Sequence, residues 1–342
     1  MRIDLKSVVL KGEILLICDS QMKKYALYSF IAIIVLTLIL VYGLQKPNSP
    51  ETVLGSRITD SSVKIQSSDT TLSPSDSIGK NQILIIYPLG KENLKGKNVL
   101  ITMGGMGAKL KWVQKWTEEL YKAKLKEFNI GMIIVVKGPV EEYYDSREIE
   151  IKEMTKRFVA AYQQYGFNET FLIVHSSGVF PAHQMFDFLY IGGDDPHNKS
   201  TKMRKLEVLD PKGITKNRIT YIMLDGELGI PKGYTLTEKM VKNLKKIYSF
   251  YAVDSKTKTL SGMAHEAKKV QKEFPGKTVL YEYKAKDSGC NPGAKWCVHE
   301  TLITTRPHNP AKYDLEKDYQ FFDPTRKVVT GYMGVVKNGK WE

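Results

Sequence analysis

Residues 171–181 read Phe-Leu-Ile-Val-His-Ser-Ser-Gly-Val-Phe-Pro. The apolar run Phe171–Val174 predicts a buried strand, and Pro181 is tolerated in a helix only near its first turn. The stretch therefore predicts a strand that passes through a short polar turn directly into a helix. In α/β proteins, ligands bind beyond the carboxyl ends of the strands, so this turn is the first candidate for a functional site.

Similar patterns continue on both sides of this stretch. Continuous apolar runs alternate with segments whose apolar residues recur at helical spacing, and strands buried on both faces are typical of parallel sheets. The pattern predicts an α/β fold with a mostly parallel sheet and helices on both faces. The predicted strands are 83–87, 99–103, 132–136, 171–174, 219–224, 247–253 and 279–283, and the predicted helices are 111–125, 145–165 ending at Gly166, 180–189, one beginning near Thr237, and 263–274.

The turn after Phe171–Val174 resembles the nucleophile elbow, G-x-S-x-G, of the α/β-hydrolase superfamily. In such an elbow, a serine occupies a strained strand-to-helix turn with its hydroxyl exposed above the sheet. The resemblance implies that Ser176 is the nucleophile and that Gly178 allows the helix to pack closely. Val174 stands where the pattern has glycine, and its branched side chain should crowd the following helix. The alternative is an ordinary turn capped by serine.

A glycine-rich loop, Gly104–Gly107, follows the predicted strand 99–103. The resemblance implies an oxyanion hole made by the amide of Gly105 or Met106 together with the amide of Ser177. The alternative is a tight turn without a catalytic role. The loop lacks the spacing of a dinucleotide-binding or phosphate-binding motif, so the sequence predicts no cofactor.

The remaining members of a catalytic triad have two candidates each. Asp225 and Asp254 each follow directly on an apolar run, and both stay open as the acid. His299 and His308 follow the last predicted strand, where the superfamily has its general base; His299 is preferred because it lies closer to that strand. The chain contains no HExxH motif or cluster of Cys and His residues, so no metal site is expected.

Two of the three cysteines, Cys290 and Cys297, flank a turn-rich loop just before His299. Outside the cytoplasm such a pair is expected to form a disulfide. We expect this bridge to hold the segment that carries His299 against the edge of the sheet.

The N-terminal part of the chain predicts a membrane anchor. Residues 25–44 contain no charged side chain, and a helix of that length spans about 30 Å, the thickness of the hydrocarbon core. An uncleaved anchor is favoured over a cleaved signal peptide because the run is longer than a signal core. Lys23 and Lys24 precede the span, so the N-terminus should lie in the cytoplasm.

The predicted anchor at residues 25–44 divides the rest of the chain into three further segments. Residues 1–24 are a cytoplasmic tail or, in part, an upstream extension of the true start. Residues 45–81 form a Ser/Thr-rich flexible linker, and residues 82–342 form the α/β-hydrolase-like domain outside the cytoplasm, in the periplasm or at the cell surface.

The distribution of the net positive charge bears on whether the protein binds nucleic acid or an anionic envelope surface. Residues 1–81 contain nine basic and seven acidic side chains, so twelve of the fourteen net positive charges belong to the rest of the chain. Its lysines are scattered and the domain is predicted to lie outside the cell, so nucleic-acid binding is not expected. The sequence predicts a membrane-tethered serine hydrolase for a small-molecule or envelope-polymer ester, with an amide as a further option. The alternative is a non-catalytic module that binds an anionic envelope surface.

Overall fold

A computed structural model describes residues 75–140, 147–192, 207–229, 235–286, 288–304 and 328–340. These residues belong to one compact unit, Ser68–Glu342. No helix within these ranges combines the length and the apolar character needed to cross a membrane. The predicted anchor at 25–44 and the tail at 1–24 lie outside the described residues.

A single sheet of eight strands runs through the described part of the chain. Its order is β1-β2-β4-β3-β5-β6-β7-β8. β2 is antiparallel to both of its neighbours, and all the other neighbouring strands are parallel. The strands are β1 (Asp76–Ile78), β2 (Ile83–Ile86), β3 (Asn98–Met103), β4 (Ile130–Val136), β5 (Thr170–His175), β6 (Ile219–Leu224), β7 (Lys246–Asp254) and β8 (Thr278–Ala285).

Helices cover both faces of this sheet. They are α1 (Leu110–Phe128), α2 (Glu148–Tyr165), α3 (Val179–Phe186), α4 (Glu238–Asn243), α5 (Ala264–Glu273), α6 (Lys295–Glu300) and α7 (Val328–Asn338). One hydrophobic cluster joins the sheet to α2, α3 and α4, and a second joins its other face to α1, α6 and α7. The predicted fold, a mostly parallel sheet with helices on both faces, is confirmed.

The two clusters explain why the strands read as continuous apolar runs. In β4, Met132 and Ile134 belong to the cluster with α2, whereas Ile133 and Val135 belong to the cluster with α1. Successive side chains of a strand point to opposite faces, and both faces are buried here, so every position of the strand is apolar.

Two predicted helix ends are confirmed. α2 ends at Gly166, whose φ of 64° is left-handed, a conformation that glycine adopts without steric cost. α4 begins after Thr237, whose hydroxyl accepts a hydrogen bond from the amide of Met240. Each helix end is set by a residue at that end, Gly166 or Thr237, so it can be predicted from the local sequence.

Some of the strands and helices were not predicted from the sequence. β1 falls inside the range 45–81 predicted as linker, and its three residues pair with β2. α6 was not predicted, because it has only six residues and a helical period needs a longer window to be visible. α7, with eleven residues, was not predicted either. The predicted helix 180–189 is divided, since α3 continues as a π-helical turn, Asp187–Ile191.

Candidate active site

Ser176 lies at the turn between β5 and α3 with a φ of 55°. This left-handed conformation is uncommon for residues other than glycine and asparagine, and most of the other non-glycine residues that adopt it in the described chain are asparagines. A serine held there by its surroundings is under local strain, and such strain concentrates at functional sites.

Gly178 allows α3 to begin directly against the end of β3. A Cβ atom at this position would lie 2.7 Å from the carbonyl oxygen of Met103 and 2.9 Å from that of Gly104. Both distances are shorter than van der Waals contact, and both neighbours are backbone atoms that cannot rotate away. The place two residues after Ser176 therefore requires glycine.

Val174, which stands where the elbow pattern has glycine, lies in the hydrophobic core of the sheet. Val174 is fully buried and belongs to the same hydrophobic cluster as Val179 and Phe180 of α3. Room on this side of the helix comes from Gly226, where a Cβ atom would lie 2.4 Å from Cγ1 of Val179.

Gly105 brings the loop after β3 against the serine. A Cβ atom at Gly105 would lie 2.9 Å from Cβ of Ser176 and 3.2 Å from Nδ1 of His175. Only a residue without a side chain can approach the turn this closely, and its backbone amide is carried with it.

The amides of this loop fall into two groups. The amides of Gly104, Gly107 and Ala108 donate hydrogen bonds to backbone carbonyl oxygens at 2.9–3.2 Å. The described residues offer no backbone acceptor to the amides of Gly105 and Met106. The amide of Ser177 lies in the first helical turn, where no intrahelical acceptor exists. The positions of these three amides are compatible with an oxyanion hole.

Asp225 and His299 form a buried pair. Oδ2 of Asp225 accepts hydrogen bonds from Nδ1 of His299 and from the amide of Met263, the latter at 3.0 Å. Oδ1 accepts a hydrogen bond from the hydroxyl of Ser261 at 2.7 Å. Asp225 itself has a left-handed φ of 48° and no exposed surface.

This pairing decides which nitrogen of His299 can act as a base. Oδ2 of Asp225 accepts a hydrogen bond from the imidazole, and this acceptor holds the ring proton on Nδ1. The lone pair is then on Nε2, and His299 lines the same cavity as Ser176.

His175, the last residue of β5, contacts His299. The two rings are 4.4 Å apart, and Nε2 of His175 donates to the carbonyl oxygen of His299 at 3.4 Å. Burial lowers the pKa of His175 well below its ordinary value, and the proximity of His299 lowers it further. His175 is therefore neutral, and it adds no positive charge beside His299.

Asp254, the other acid at the end of a strand, has different partners. Its Oδ1 accepts hydrogen bonds from the amides of Lys256 and Thr257 and from the hydroxyl of Thr257, and its Oδ2 accepts one from Ser288. Burial raises the pKa of Asp254, but these hydrogen bonds outweigh it and hold the pKa below its ordinary value. The structure therefore brings Asp225, and not Asp254, to His299.

The predicted disulfide between Cys290 and Cys297 is confirmed, with Cα atoms 5.7 Å apart. Cys297 belongs to α6, two residues before His299. The other end of the bridge is held by the turn after β7, because the amide of Cys290 donates to the hydroxyl of Ser288 at 3.1 Å and Ser288 donates to Asp254. The bridge thus joins α6 to a loop that is itself fixed.

The remaining histidines are elsewhere. His183 is buried and hydrogen bonded to Tyr221, and the side chain of His265 is 80% exposed beside Glu266. His197 and His308, the second candidate base, lie outside the described residues. Among the residues the structure describes, no group of three or more His, Cys, Asp or Glu side chains is arranged to hold a metal ion.

A cavity of about 530 Å³ adjoins Ser176 and His299. Its wall includes the candidate oxyanion residues Gly105, Met106 and Ser177, and it also contains three tryptophans that the sequence did not single out: Trp112, Trp116 and Trp296. Two of these belong to α1, where helical spacing only indicated a buried face. The local sequence pattern of α1 carries no information that this face lines the same cavity as Ser176.

Comparisons with known proteins give low similarities. A scan of protein-family models finds no match, and neither does a search of curated proteins. Among solved structures, the chain is similar to a carboxylesterase from Mesorhizobium loti at 9% identity, covering 64% of this chain and 94% of that one, with a TM-score of 0.34.

A thermostable esterase from Pseudomonas putida matches at 9% identity over 68% of this chain and 81% of that one, with a TM-score of 0.38. A bifunctional GH43-CE protein of Bacteroides eggerthii matches at 12% identity with the same TM-score, over 62% of this chain and only a third (33%) of its own length. At values this low, the matches carry no information about the function of this chain. The strand order and the turn at Ser176 make the architecture α/β-hydrolase-like.

Replacing Gly178 by alanine should destabilise the fold by about 1–3 kcal/mol, the usual cost of overpacking, because the new Cβ atom would meet two backbone carbonyls. Urea unfolding measures the change. Gly276→Ala is the matched control, since nothing lies within 4 Å of a Cβ atom there. Equal stabilities of the two variants would show that α3 does not depend on this close approach.

Asp254→Asn should lower the free energy of unfolding at neutral pH by roughly 1–3 kcal/mol, because the charge that strengthens these hydrogen bonds is removed and one accepting oxygen becomes an NH₂ group. The pKa of Asp254 is lower in the folded chain, so its ionisation contributes stability above its ordinary pKa near 4. That contribution disappears as the pH falls through the lowered value.

The difference in unfolding free energy between the parent and Asp254→Asn should therefore shrink as the pH falls below 4. The exposed carboxylate of Glu92 provides the control, and Glu92→Gln should stay within about 0.5 kcal/mol of the parent. A difference at Asp254 that is the same at acidic and neutral pH contradicts the assignment of its hydrogen bonds.

Proposed function

We propose that this protein is a serine hydrolase that cleaves a carboxylic ester through Ser176, His299 and Asp225. The observation that carries the proposal is the combination of a strained serine and a histidine on one cavity, with Nδ1 of that histidine bonded to a buried carboxylate. A nucleophile, a base and a group that orients the base are the parts that this chemistry needs.

In this proposal the hydroxyl of Ser176 attacks the ester carbonyl while Nε2 of His299 accepts its proton. Asp225 stabilises the imidazolium that forms, and the amide of Ser177 with that of Gly105 or Met106 donates to the oxyanion. His299 then protonates the departing alcohol, which leaves an acyl group on Ser176. Water, activated by His299, releases the acyl group as a carboxylic acid and restores the serine.

The disulfide between Cys290 and Cys297 supports the position of the base. His299 lies on a helix of only six residues, and so short a helix has little stability of its own. The bridge joins that helix to the loop held by Asp254 and Ser288. We infer that the bridge keeps His299 in place beside Asp225.

The alternative, a non-catalytic envelope-binding module, accounts for the positive charge but not for the site. A positively charged surface needs no strained serine and no buried carboxylate directed at a histidine. Both features cost stability, and a binding role gives no reason to keep them next to each other. The arrangement therefore favours a hydrolase.

Ser176→Ala should abolish labelling by a fluorophosphonate probe, whereas Ser177→Ala should keep part of it because only the amide of Ser177 takes part. His299→Gln and Asp225→Asn should each reduce kcat for a small ester by about 10⁴-fold, as in other triads. Rates are measured by titrating the acid released.

Two control variants separate the triad from general damage to the fold. His265→Gln changes an exposed histidine and should keep the parent rate. Asp254→Asn should lose far less activity than Asp225→Asn, even where both lose stability. A parent protein that hydrolyses no ester and takes up no probe would refute the proposed function, and Ser176→Ala labelling like the parent would refute the nucleophile.

We further propose that residues 25–44 anchor the protein in a membrane with the hydrolase domain outside the cytoplasm. The proposal is supported by twenty uncharged residues preceded by Lys23 and Lys24. Alkaline phosphatase fused after Glu342 should be active in a bacterial host, because that enzyme matures only outside the cytoplasm. Activity of a cytoplasm-only reporter at the same position would contradict the orientation.

A further inference from the structure

We propose that one end of the active-site cavity is an acyl-binding subsite, and that the substrates are esters of an apolar acyl group longer than acetyl. The alcohol portion lies at the other, open end. This inference rests on the proposed hydrolase function and adds the class of substrate to it. It is carried by the burial, the contacts and the chemistry of the cavity wall.

The two ends of the cavity differ in exposure. Val113 and Trp116 of α1 are buried, as is Ile303, and Trp116 has only 1% of its surface exposed. Trp296 and Met106, in contrast, are exposed large side chains, and Trp296 keeps 59% of its surface accessible. We call the first group the closed end and the second group the open end.

The closed end is apolar in chemistry as well as in residue type. Trp116 carries one polar group, and its Nε1 donates to the hydroxyl of Tyr332 at 2.6 Å. What the indole presents to the cavity is therefore hydrocarbon surface. The two carboxylates of the cavity wall, Glu227 and Glu300, are partly exposed, so neither places a buried charge against the apolar side chains of the closed end.

The closed end begins next to the nucleophile. A Cβ atom at Gly104 would lie 2.5 Å from Cγ2 of Val113, and one at Gly105 would lie 2.9 Å from Cβ of Ser176. Two consecutive glycines thus touch the apolar wall on one side and the serine on the other. An acyl group bonded to Ser176 has this wall within reach of its first carbons.

The geometry of the reaction assigns the two ends. In the tetrahedral intermediate the oxyanion points to the amides and the departing oxygen points to Nε2 of His299. His299 packs against Trp296 of the open end, with 5.3 Å between the ring centroids. On this contact we assign the alcohol to the open end and the acyl chain to the buried apolar wall that includes Val113 and Trp116.

The test uses pairs of isomeric esters, in which the same carbons stand on opposite sides of the ester bond. Ethyl butyrate is compared with butyl acetate, and ethyl hexanoate with hexyl acetate. Burying one methylene is worth about 0.8 kcal/mol, or about fourfold in kcat/KM. The ethyl ester should therefore be preferred in each pair, by a larger factor in the hexanoate pair.

Variants of the closed end show whether its walls cause this preference. Trp116→Leu and, independently, Ile303→Ala enlarge the closed end, and in each variant the best ethyl ester should have a longer acyl chain than the best ethyl ester of the parent. Leu120→Ala is the matched control. Leu120 lies one turn beyond Trp116 on α1 and is equally buried in the same cluster, but it does not line the cavity, so its loss should lower stability without changing the chain-length preference.

The outcomes separate the two proposals. Hydrolysis of the acetates with no preference for longer acyl chains overturns the subsite while the hydrolase function stands. A preference for hexyl acetate over ethyl hexanoate also overturns it, since the alcohol would then occupy the closed end. A shift in Leu120→Ala as large as in Trp116→Leu and Ile303→Ala would show that the walls of the closed end do not set the preference. No hydrolysis of any of these esters and no probe labelling refutes the hydrolase function itself.

Discussion

The site depends on backbone segments that meet at the carboxyl edge of the sheet without room for a side chain. Gly178 touches the end of β3, Gly105 touches Ser176, and a Cβ atom at Gly138 would lie only 1.8 Å from the carbonyl oxygen of Gly105. These contacts bring the loop after β3, the turn after β5 and the loop after β4 together. Backbone amides can stabilise an oxyanion only if they are this close and already fixed in place, so the close approach is a condition for the proposed chemistry.

A second constraint is the buried carboxylate of Asp225. A buried charge is tolerated only when its oxygen atoms are hydrogen bonded, and the partners here come from three separate places in the chain: Ser261, Met263 and His299. The need to satisfy one carboxylate therefore ties the end of β6 to the start of α5 and to α6. The position of His299 follows from this network rather than from any preference of its own short helix.

The sequence shows the strands and longer helices because their signals are local. Continuous apolar runs reveal strands buried on both faces, and Gly166 and Thr237 mark helix ends. The choice between Asp225 and Asp254 could not be made in this way, because both acids follow an apolar strand. Their difference lies in the hydrogen bonds of Asp225 to Ser261 and His299, which are 36 and 74 positions further along the chain. β1 and α6 were too short for a periodic pattern.

The two acids at the ends of neighbouring strands have separate tasks. Asp225 directs the imidazole of His299, and Asp254 holds the loop that the disulfide joins to α6. On the chain-entropy model, closing a loop this short contributes only about 2.5 kcal/mol, while the sheet and its two clusters supply the core of the fold. The bridge begins at Cys290, two residues after Ser288, which donates to Asp254, and it ends at Cys297, two residues before His299. Its effect is therefore local: it restricts the short helix that carries His299, the proposed base, at the place where a small displacement would separate His299 from the carboxylate of Asp225.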